Sequence, residues 1–441
     1  MENGMSRREL LKAGIAAGAL VASNQWHAQV AYGPENVKTI RWGFIGVGGR
    51  GTGLLKVALS MKGVEVPAIC DISEGNLNRA LDLVDKARGK KPEGYSQGPT
   101  DYRRMLARDD LDAVLIATPM QLHSQMAADA LRAGKNVLSE VAAAVTLEGC
   151  WEIVKAAEES RKVYMLAENV CYYPSNLSIW EMVKKGLFGE LTYAECGYVH
   201  DCRGLLFQGD GSLTWRGELA RDMKGNWYPT HSLGPVAQWL GVNRGDRLVS
   251  LVSSSSREAA VSHYAEKRFG KPRSNQLERG KERYAGTKFA GDSNNTLIRT
   301  AKGALIDLRF DVSSERPVLS TTYFTLQGTT ASYDDRDGAK KIYVDGRSKP
   351  HAWDPFANYE KEFPPALWQK WADEAKKTGH GGADFFVINE FLDTLRTGRP
   401  SPIDVYDAAT WSSILPLSNA SVAAGGQPQE IPDFTQGKRE K

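Results

Sequence analysis

Gly46, Gly48 and Gly51 form a GxGxxG run directly after an apolar stretch, 39–47, and Asp71 follows about 20 residues later at the end of a second one, 64–70. Glycines so placed allow a tight turn and bring backbone N–H groups close to a pyrophosphate at the positive end of a helix. Gly49 and Arg50 lie inside the run and share its contact surface. An acid at position 71 would bind ribose hydroxyls and repel a 2′-phosphate, which favours NAD over NADP. A second group is Tyr228-Pro229-Thr230-His231. Tyr228 and His231 stand three apart at the head of a helix-like stretch, 232–240, so both can face one side of a ligand. Histidine, with an unperturbed pKa of about 6.5, suits proton transfer near neutrality. The bland alternative is a helix-start turn with Thr230 as its cap.

These residues need elements to hold them. Strand-like stretches at 39–47, 64–70, 113–119, 135–139 and 163–167 alternate with helical patterns at 54–61, 124–133 and 146–160. Such alternation indicates a parallel sheet with crossover helices, here a Rossmann NAD-binding domain over 37–170. From residue 171 strand-like stretches follow one another, at 191–199, 248–253, 294–300, 304–312 and 323–327, with helices at 384–396 and 405–417. The expected fold is therefore α/β, with a second α+β substrate domain over 171–430 built on a mostly antiparallel open sheet. The charged, glycine-containing stretch 268–283 reads as a surface loop.

The 441 residues carry a formal net charge of only +3, with 25% charged and 41% hydrophobic side chains. Nothing in that balance suggests nucleic-acid binding. No apolar run approaches the ~20 residues of a membrane span. Residues 1–33 carry Arg7-Arg8 ahead of a weakly apolar, alanine-rich run and read as a twin-arginine signal, which implies a periplasmic or secreted protein exported already folded. The five cysteines lack metal-ligand spacing, so no metal is expected; Cys196 and Cys202 could pair.

The fingerprint, Ala117-Thr118-Pro119 with His123, and Gly134 to Glu140 together resemble the glucose–fructose oxidoreductase/inositol dehydrogenase/MocA family. Dehydrogenases of that family carry Glu-Lys-Pro, but this chain carries Glu140-Val141-Ala142. Valine can neither accept a proton nor polarise a hydroxyl. A narrower resemblance accounts for the change. Ser139 to Ala142, Ala167-Glu168-Asn169, Gly197 to Asp201, Leu213 to Arg216 and the block Gly225 to Pro235 look like family 109 of the glycoside hydrolases, typified by NAD-dependent α-N-acetylgalactosaminidases. That family places a substrate tyrosine after an Arg-Pro pair. Here Arg316-Pro317 continues Val318-Leu319, so the tyrosine is missing or displaced toward Tyr323.

The resemblance implies a redox-neutral cleavage. NAD⁺ takes hydride from carbon 3 of a sugar, and the ketone acidifies the proton on carbon 2. The group on carbon 1 leaves by elimination, water adds, and the hydride returns. No carboxylate pair of the ordinary glycosidase kind is needed. Tyr228, His231 and His200 are the expected catalytic groups. Tyr198 and His200, alternating on a strand and so sharing a face, with Tyr228, Pro229, Thr230 and His231, are expected to line the sugar pocket. Glu140 and Val141 should border the nicotinamide, Asn169 should hydrogen-bond it, Met120 to His123 should lie alongside, and Arg216 with Trp215 could close over the cofactor. His27, His263, His351 and His380 receive no role. The substrate is a small carbohydrate or glycan terminus, and a homo-oligomer is expected. Other readings are a periplasmic sugar oxidoreductase and a non-catalytic sugar-binding protein that retains the nucleotide.

Overall fold

The computed structural model describes residues 37–270, 289–317 and 321–439. The signal expected over 1–33 lies outside them, as does most of the expected surface loop; Arg268 belongs to a helix, Ala260–Phe269.

Seven strands form the first sheet: β1 (Ile40–Ile45), β2 (Val64–Glu65), β3 (Ala68–Cys70), β4 (Glu93–Tyr95), β5 (Ala113–Ile116), β6 (Asn136–Ser139) and β7 (Tyr164–Leu166). Their order is β4-β3-β1-β5-β6-β7, with β2 beside β1. Every pairing is parallel, and Phe44 on the central β1 lies opposite Ile69 on one side and Leu115 on the other. A parallel sheet is covered on both faces, so its central strands are mostly apolar: Trp42, Phe44, Val114 and Ile116 are wholly buried. The strand expected over 64–70 is split at Pro67, which has no N–H to give the ladder. Helix α1 (Gly49–Ser60) starts within the glycine run, ahead of the expected 54, because those residues form its first turn. Helices α2 (His123–Arg132) and α3 (Leu147–Ser160) complete the crossovers relevant to the site. Thr146 caps α3 by accepting from the Gly149 N–H.

The second sheet has nine strands: β8 (Leu191–Val199), β9 (Leu248–Ser255), β10 (Asn294–Thr300), β11 (Leu305–Asp311), β12 (Thr322–Gly328), β13 (Ala331–Asp334), β14 (Lys341–Val344), β15 (Asp354–Pro355) and β16 (Gln429–Glu430). The order is β15-β14-β13-β12-β8-β11-β10-β9-β16. The β8–β11 pair is parallel and the other pairings are antiparallel. Buried and exposed positions alternate strictly along β10, as they must where one face is packed and the other wet. The fold is thus the expected α/β arrangement of a Rossmann-like sheet followed by a mostly antiparallel open one.

Four later helices tie the sheets together. Helix α4 (Trp215–Asp222) and helix α5 (Thr230–Trp239) follow β8, and α5 packs on β8 and β12, with Trp239 at 5.4 Å from Phe324. Helix α6 (Ala383–Thr397) returns to α1, and its Phe391 meets Trp42 at 5.2 Å. Helix α7 (Val405–Ala423) begins in a capping box between Asp404 and Asp407 and packs against α3, β7 and β9. Its Ser412 hydroxyl accepts from the Ala143 N–H at 3.0 Å, beside the end of β6. Among the described residues, no helix is long and apolar enough to cross a membrane. All five cysteines are free and buried, so Cys196 and Cys202 do not pair: Cys196 faces the core of β8, and Cys202 lies beyond the strand near the Tyr198 hydroxyl.

Candidate active site

The glycine run turns off the end of β1 as its residue types require. Gly46 takes a φ of +83°, and a Cβ there would stand 2.8 Å from the Ala117 carbonyl. A Cβ on Gly51 would lie 2.0 Å from the Gly46 carbonyl oxygen, so helix α1 can approach the turn this closely with glycine alone. At Gly49, by contrast, a Cβ would meet nothing within 4 Å, and Gly48 is nearly as open. That open side is bordered by the first turn of α1, whose leading N–H groups have no intrahelical acceptor. Asp71, just past β3, accepts the Val47 N–H at 2.7 Å and the Ser73 N–H at 2.8 Å. Each oxygen keeps a second lone pair for a hydroxyl.

Beyond the loop, Arg50 donates to Glu140 at 2.7 Å and to Asp384 at 2.7 Å, and Asn169 donates to the other Asp384 oxygen at 3.2 Å. Burial works against the Arg50 charge, but the two carboxylates outweigh it and hold its pKa above the ordinary value. His380, which the sequence left without a role, also bonds Asp384 at 2.9 Å. Val141 is buried, with no polar group to offer. Met120 is fully buried in an apolar cluster. His123, expected alongside the nicotinamide, turns its ring into the protein. It is 1% exposed, and its two ring nitrogens lie 2.8 Å from the carbonyls of Thr118 and Ala142. It pins the loops after β5 and β6 and leaves no ring nitrogen for a ligand.

Across from these residues the structure gathers the second group. The ring centroids of Tyr228 and His231 are 4.9 Å apart, and Tyr198 lies 5.4 Å from each. His200 joins at 5.9 Å from Tyr198. His231 sits in the first turn of α5, and its Nδ1 lies 2.7 Å from Oε1 of Glu168. Glu168 is wholly buried at the end of β7 and can only accept, which places the His231 proton on Nδ1 and leaves Nε2 as an acceptor. Burial raises the Tyr228 pKa well above the usual phenol range; the Glu140 charge adds to this and Arg216 opposes it. Tyr228 therefore stays protonated at neutral pH, with a hydroxyl that can donate a hydrogen bond. Burial lowers the His200 pKa, with Asp201 pulling the other way. Thr230 is not the cap of α5: its hydroxyl is buried and unpartnered among the described residues, and Pro229 precedes the helix without a side-chain bond. Arg216 lies 4.1 Å over the Trp215 ring, and the Trp215 carbonyl accepts from Gln121.

Buried polar atoms without partners gather here. Oε2 of Glu168, Oδ1 of Asn169, Nδ1 of His200, Nδ2 of Asn226 and Oγ1 of Thr230 have none among the described residues. Native proteins satisfy such atoms with protein, water or ligand partners, so these are available to a polar ligand. The open glycine run, the spare lone pairs of Asp71 and the unmatched Asn169 oxygen fit a dinucleotide.

Residues 172–441 match the family described as glycosyl hydrolase 109, C-terminal domain, and residues 40–168 match the oxidoreductase family with an NAD-binding Rossmann fold. The chain belongs to glycosyl hydrolase family 109. A family 109 protein of Solibacter usitatus is 39% identical, with 98% of each chain covered. An α-N-acetylgalactosaminidase of Tannerella forsythia is 34% identical over 99% of this chain and 98% of its own. In fold the chain is similar to an NAD-binding oxidoreductase from Klebsiella pneumoniae, with a TM-score of 0.69 at 15% identity over 89% of this chain and 99% of that one. This family 109 member is accordingly an NAD-binding glycosidase.

Two further placements matter within the family. Tyr323 pairs in register with Gly197 on β8, so it shares the face of Gly197 and not that of the neighbouring Tyr198. Its ring covers the glycine, where a Cβ would stand 2.3 Å from it, and its hydroxyl bonds Glu195 at 3.0 Å. Tyr323 thus cannot replace the family's substrate tyrosine from this position. Tyr323→Phe should leave turnover of an aryl glycoside within about twofold, as for substitutions away from a site; a loss of turnover with the fold intact would place the residue in the pocket after all. Glu168 was within reach of sequence reasoning, because it ends a parallel strand, where ligands of open α/β sheets bind. Asp384 and His380 carried no such signal.

Proposed function

We propose that this chain cleaves terminal α-N-acetylgalactosaminides or closely similar glycosides by transient oxidation at carbon 3. The observation that carries the reading is the Glu168–His231 pair, aimed with the Tyr228 hydroxyl at the end of the parallel sheet where the dinucleotide loop opens. Bound there, NAD⁺ supplies a reversible hydride acceptor. His231 Nε2 accepts the carbon 2 proton, with Glu168 holding the ring and stabilising the imidazolium that forms. His200, kept neutral by burial, takes the carbon 3 hydroxyl proton as the hydride leaves and returns it on re-reduction. Tyr228 donates a hydrogen bond to the oxygen on carbon 3 as it becomes a carbonyl, which acidifies carbon 2. Tyr198 and His200 form the wall against which the ring rests. Asn226 and Thr230 bring further unmatched polar atoms to the same region. Val141, at the position where dehydrogenases of the wider family carry lysine, removes the base a net sugar oxidoreductase would use. A twin-arginine signal suits this chemistry, because a protein exported folded can carry a recycled cofactor to a periplasmic or secreted destination.

Turnover of para-nitrophenyl α-N-acetylgalactosaminide in deuterium oxide tests the reading. Proton NMR of the released sugar should show deuterium at carbon 2, since that proton leaves and returns. Cleavage without label there would sink the oxidation–elimination route.

A further inference from the structure

Two of the residues expected around the cofactor, Arg50 and Asn169, are fastened to one carboxylate that no motif marked, and a third, Glu140, is tied to it through Arg50. Arg50 extends from the glycine run, with Nε on Glu140 at 2.7 Å and Nη1 on Asp384 at 2.7 Å. Asn169 bonds the second Asp384 oxygen at 3.2 Å. The Asp384 side chain is 5% exposed, and it stands in the first turn of α6, where the helix dipole favours a negative charge. His380 closes the set from outside: its ring lies 2.9 Å from Asp384 and 3.2 Å from Arg50, half exposed. The tight turn before α6 exists to allow this. Gly379 leaves room for the Asp384 oxygen, which would otherwise stand 2.7 Å from a Cβ, and Gly381 and Gly382 take φ values of +63° and +100°. The loop after β1, the end of β6, the end of β7 and the start of α6 are thereby joined through a single buried group.

We propose that Asp384, backed by His380, is the positioning residue that keeps the nucleotide from leaving: it locks Arg50 across the mouth of the glycine loop and holds Glu140 and Asn169 in place. This rests on the reading that NAD is recycled within each turnover and need not exchange. Opening the loop would strip a buried carboxylate of its arginine, which proteins avoid. Arginine is suited to the task because its planar fork reaches two carboxylates at once, which a lysine cannot do in the same geometry.

A chase experiment tests the lock without any sugar present. The purified protein is loaded with NADH, mixed with excess NAD⁺, and the loss of bound-NADH fluorescence is followed. Wild type should release slowly. Asp384→Asn, nearly isosteric, should release roughly 5–150-fold faster, the usual span of coupling between sites. His380→Ala should accelerate release by less than about fivefold, in keeping with a half-exposed contact. Asp393→Asn breaks another ion pair on the same helix, with Arg399 at 2.6 Å, and should leave release unchanged. Release from Asp384→Asn at the wild-type rate overturns the inference, and so does equal acceleration by Asp393→Asn, which would mean that α6 had merely loosened. If the Asp384 variant cannot be obtained folded, the same chase on Arg50→Lys decides: unaltered release again overturns it. A deuterium-free product would instead count against the proposed cleavage chemistry and leave this result standing.

Discussion

His231→Ala should lower turnover by roughly 10²–10⁴-fold, the range in which a positioned acid–base group contributes. The loss should fall on the chemical step, because the ring meets the cleft through Nε2 and is held from behind by Glu168 at 2.7 Å. Nucleotide content should change little, whereas melting should fall modestly, because the wholly buried Glu168 loses its side-chain partner. Glu168→Gln should be impaired on the same scale. A glutamine amide can donate to Nδ1, which moves the ring proton to Nε2 and presents a donor where an acceptor is needed. The double variant should be no worse than the weaker single one, because both act on one proton transfer. Tyr228→Phe tests the partner role: the phenol is held protonated by burial and by the Glu140 charge, so removing its hydroxyl should cost turnover at every pH without shifting the acidic limb of the profile. Steady-state rates with an aryl glycoside, bound nucleotide per chain and melting curves check the set. A His231→Ala enzyme within about tenfold of wild type would remove the histidine from the reaction, since no acid–base role is that small.

The contrast between Glu168 and Asp384 marks how far the sequence could be read. The parallel sheet, the glycine turn and Asp71 were legible because each follows from local chemistry: a continuous apolar run, a φ that only glycine adopts freely, an acid ending a strand. The Tyr228–His231 block was legible as a pair because the two stand three apart at the head of a helix-like stretch, although Tyr228 itself lies just ahead of α5. Glu168 lay in a quoted motif, but its role depends on α5 packing against the turn that follows β7, which the residues alone do not announce. Asp384 meets Arg50 across 334 positions, and no spacing rule spans that distance. His123 misled for the opposite reason. Its neighbours suggest a place beside the nucleotide, yet the chain spends both ring nitrogens on the carbonyls of Thr118 and Ala142, in the loops after β5 and β6. Tyr323 was ambiguous until register was known, since one residue along a strand exchanges one face for the other.

Gly51→Ala should abolish nucleotide retention and destabilise the fold together, whereas Gly49→Ala should separate the two. The alanine methyl at 51 would lie 2.0 Å from the Gly46 carbonyl oxygen and 2.9 Å from its carbon, which is backbone and cannot rotate aside. Gly46 is itself fixed: its N–H donates to the Cys70 carbonyl at 2.8 Å, and its Cα abuts Ala117, where a Cβ would stand 2.8 Å from the carbonyl. Helix α1 must therefore back away from the sheet, unpacking Leu54, Leu55 and Ala58, which are wholly buried. Overpacking of this kind costs about 1–3 kcal/mol, more where the backbone must move. At Gly49 a methyl meets no protein atom within 4 Å, so the helix gains propensity, up to about 1 kcal/mol, with no clash. The space it fills is the one a pyrophosphate would occupy. Gly49→Ala should thus be as stable as wild type or slightly more so, yet bind NAD(H) weakly, while Gly51→Ala should lose both properties. Denaturant titration beside the nucleotide released on acid quenching distinguishes the two variants. A Gly51→Ala protein that keeps its nucleotide and its stability would show that α1 does not rest against the Gly46 carbonyl, and would take the dinucleotide turn away from this loop.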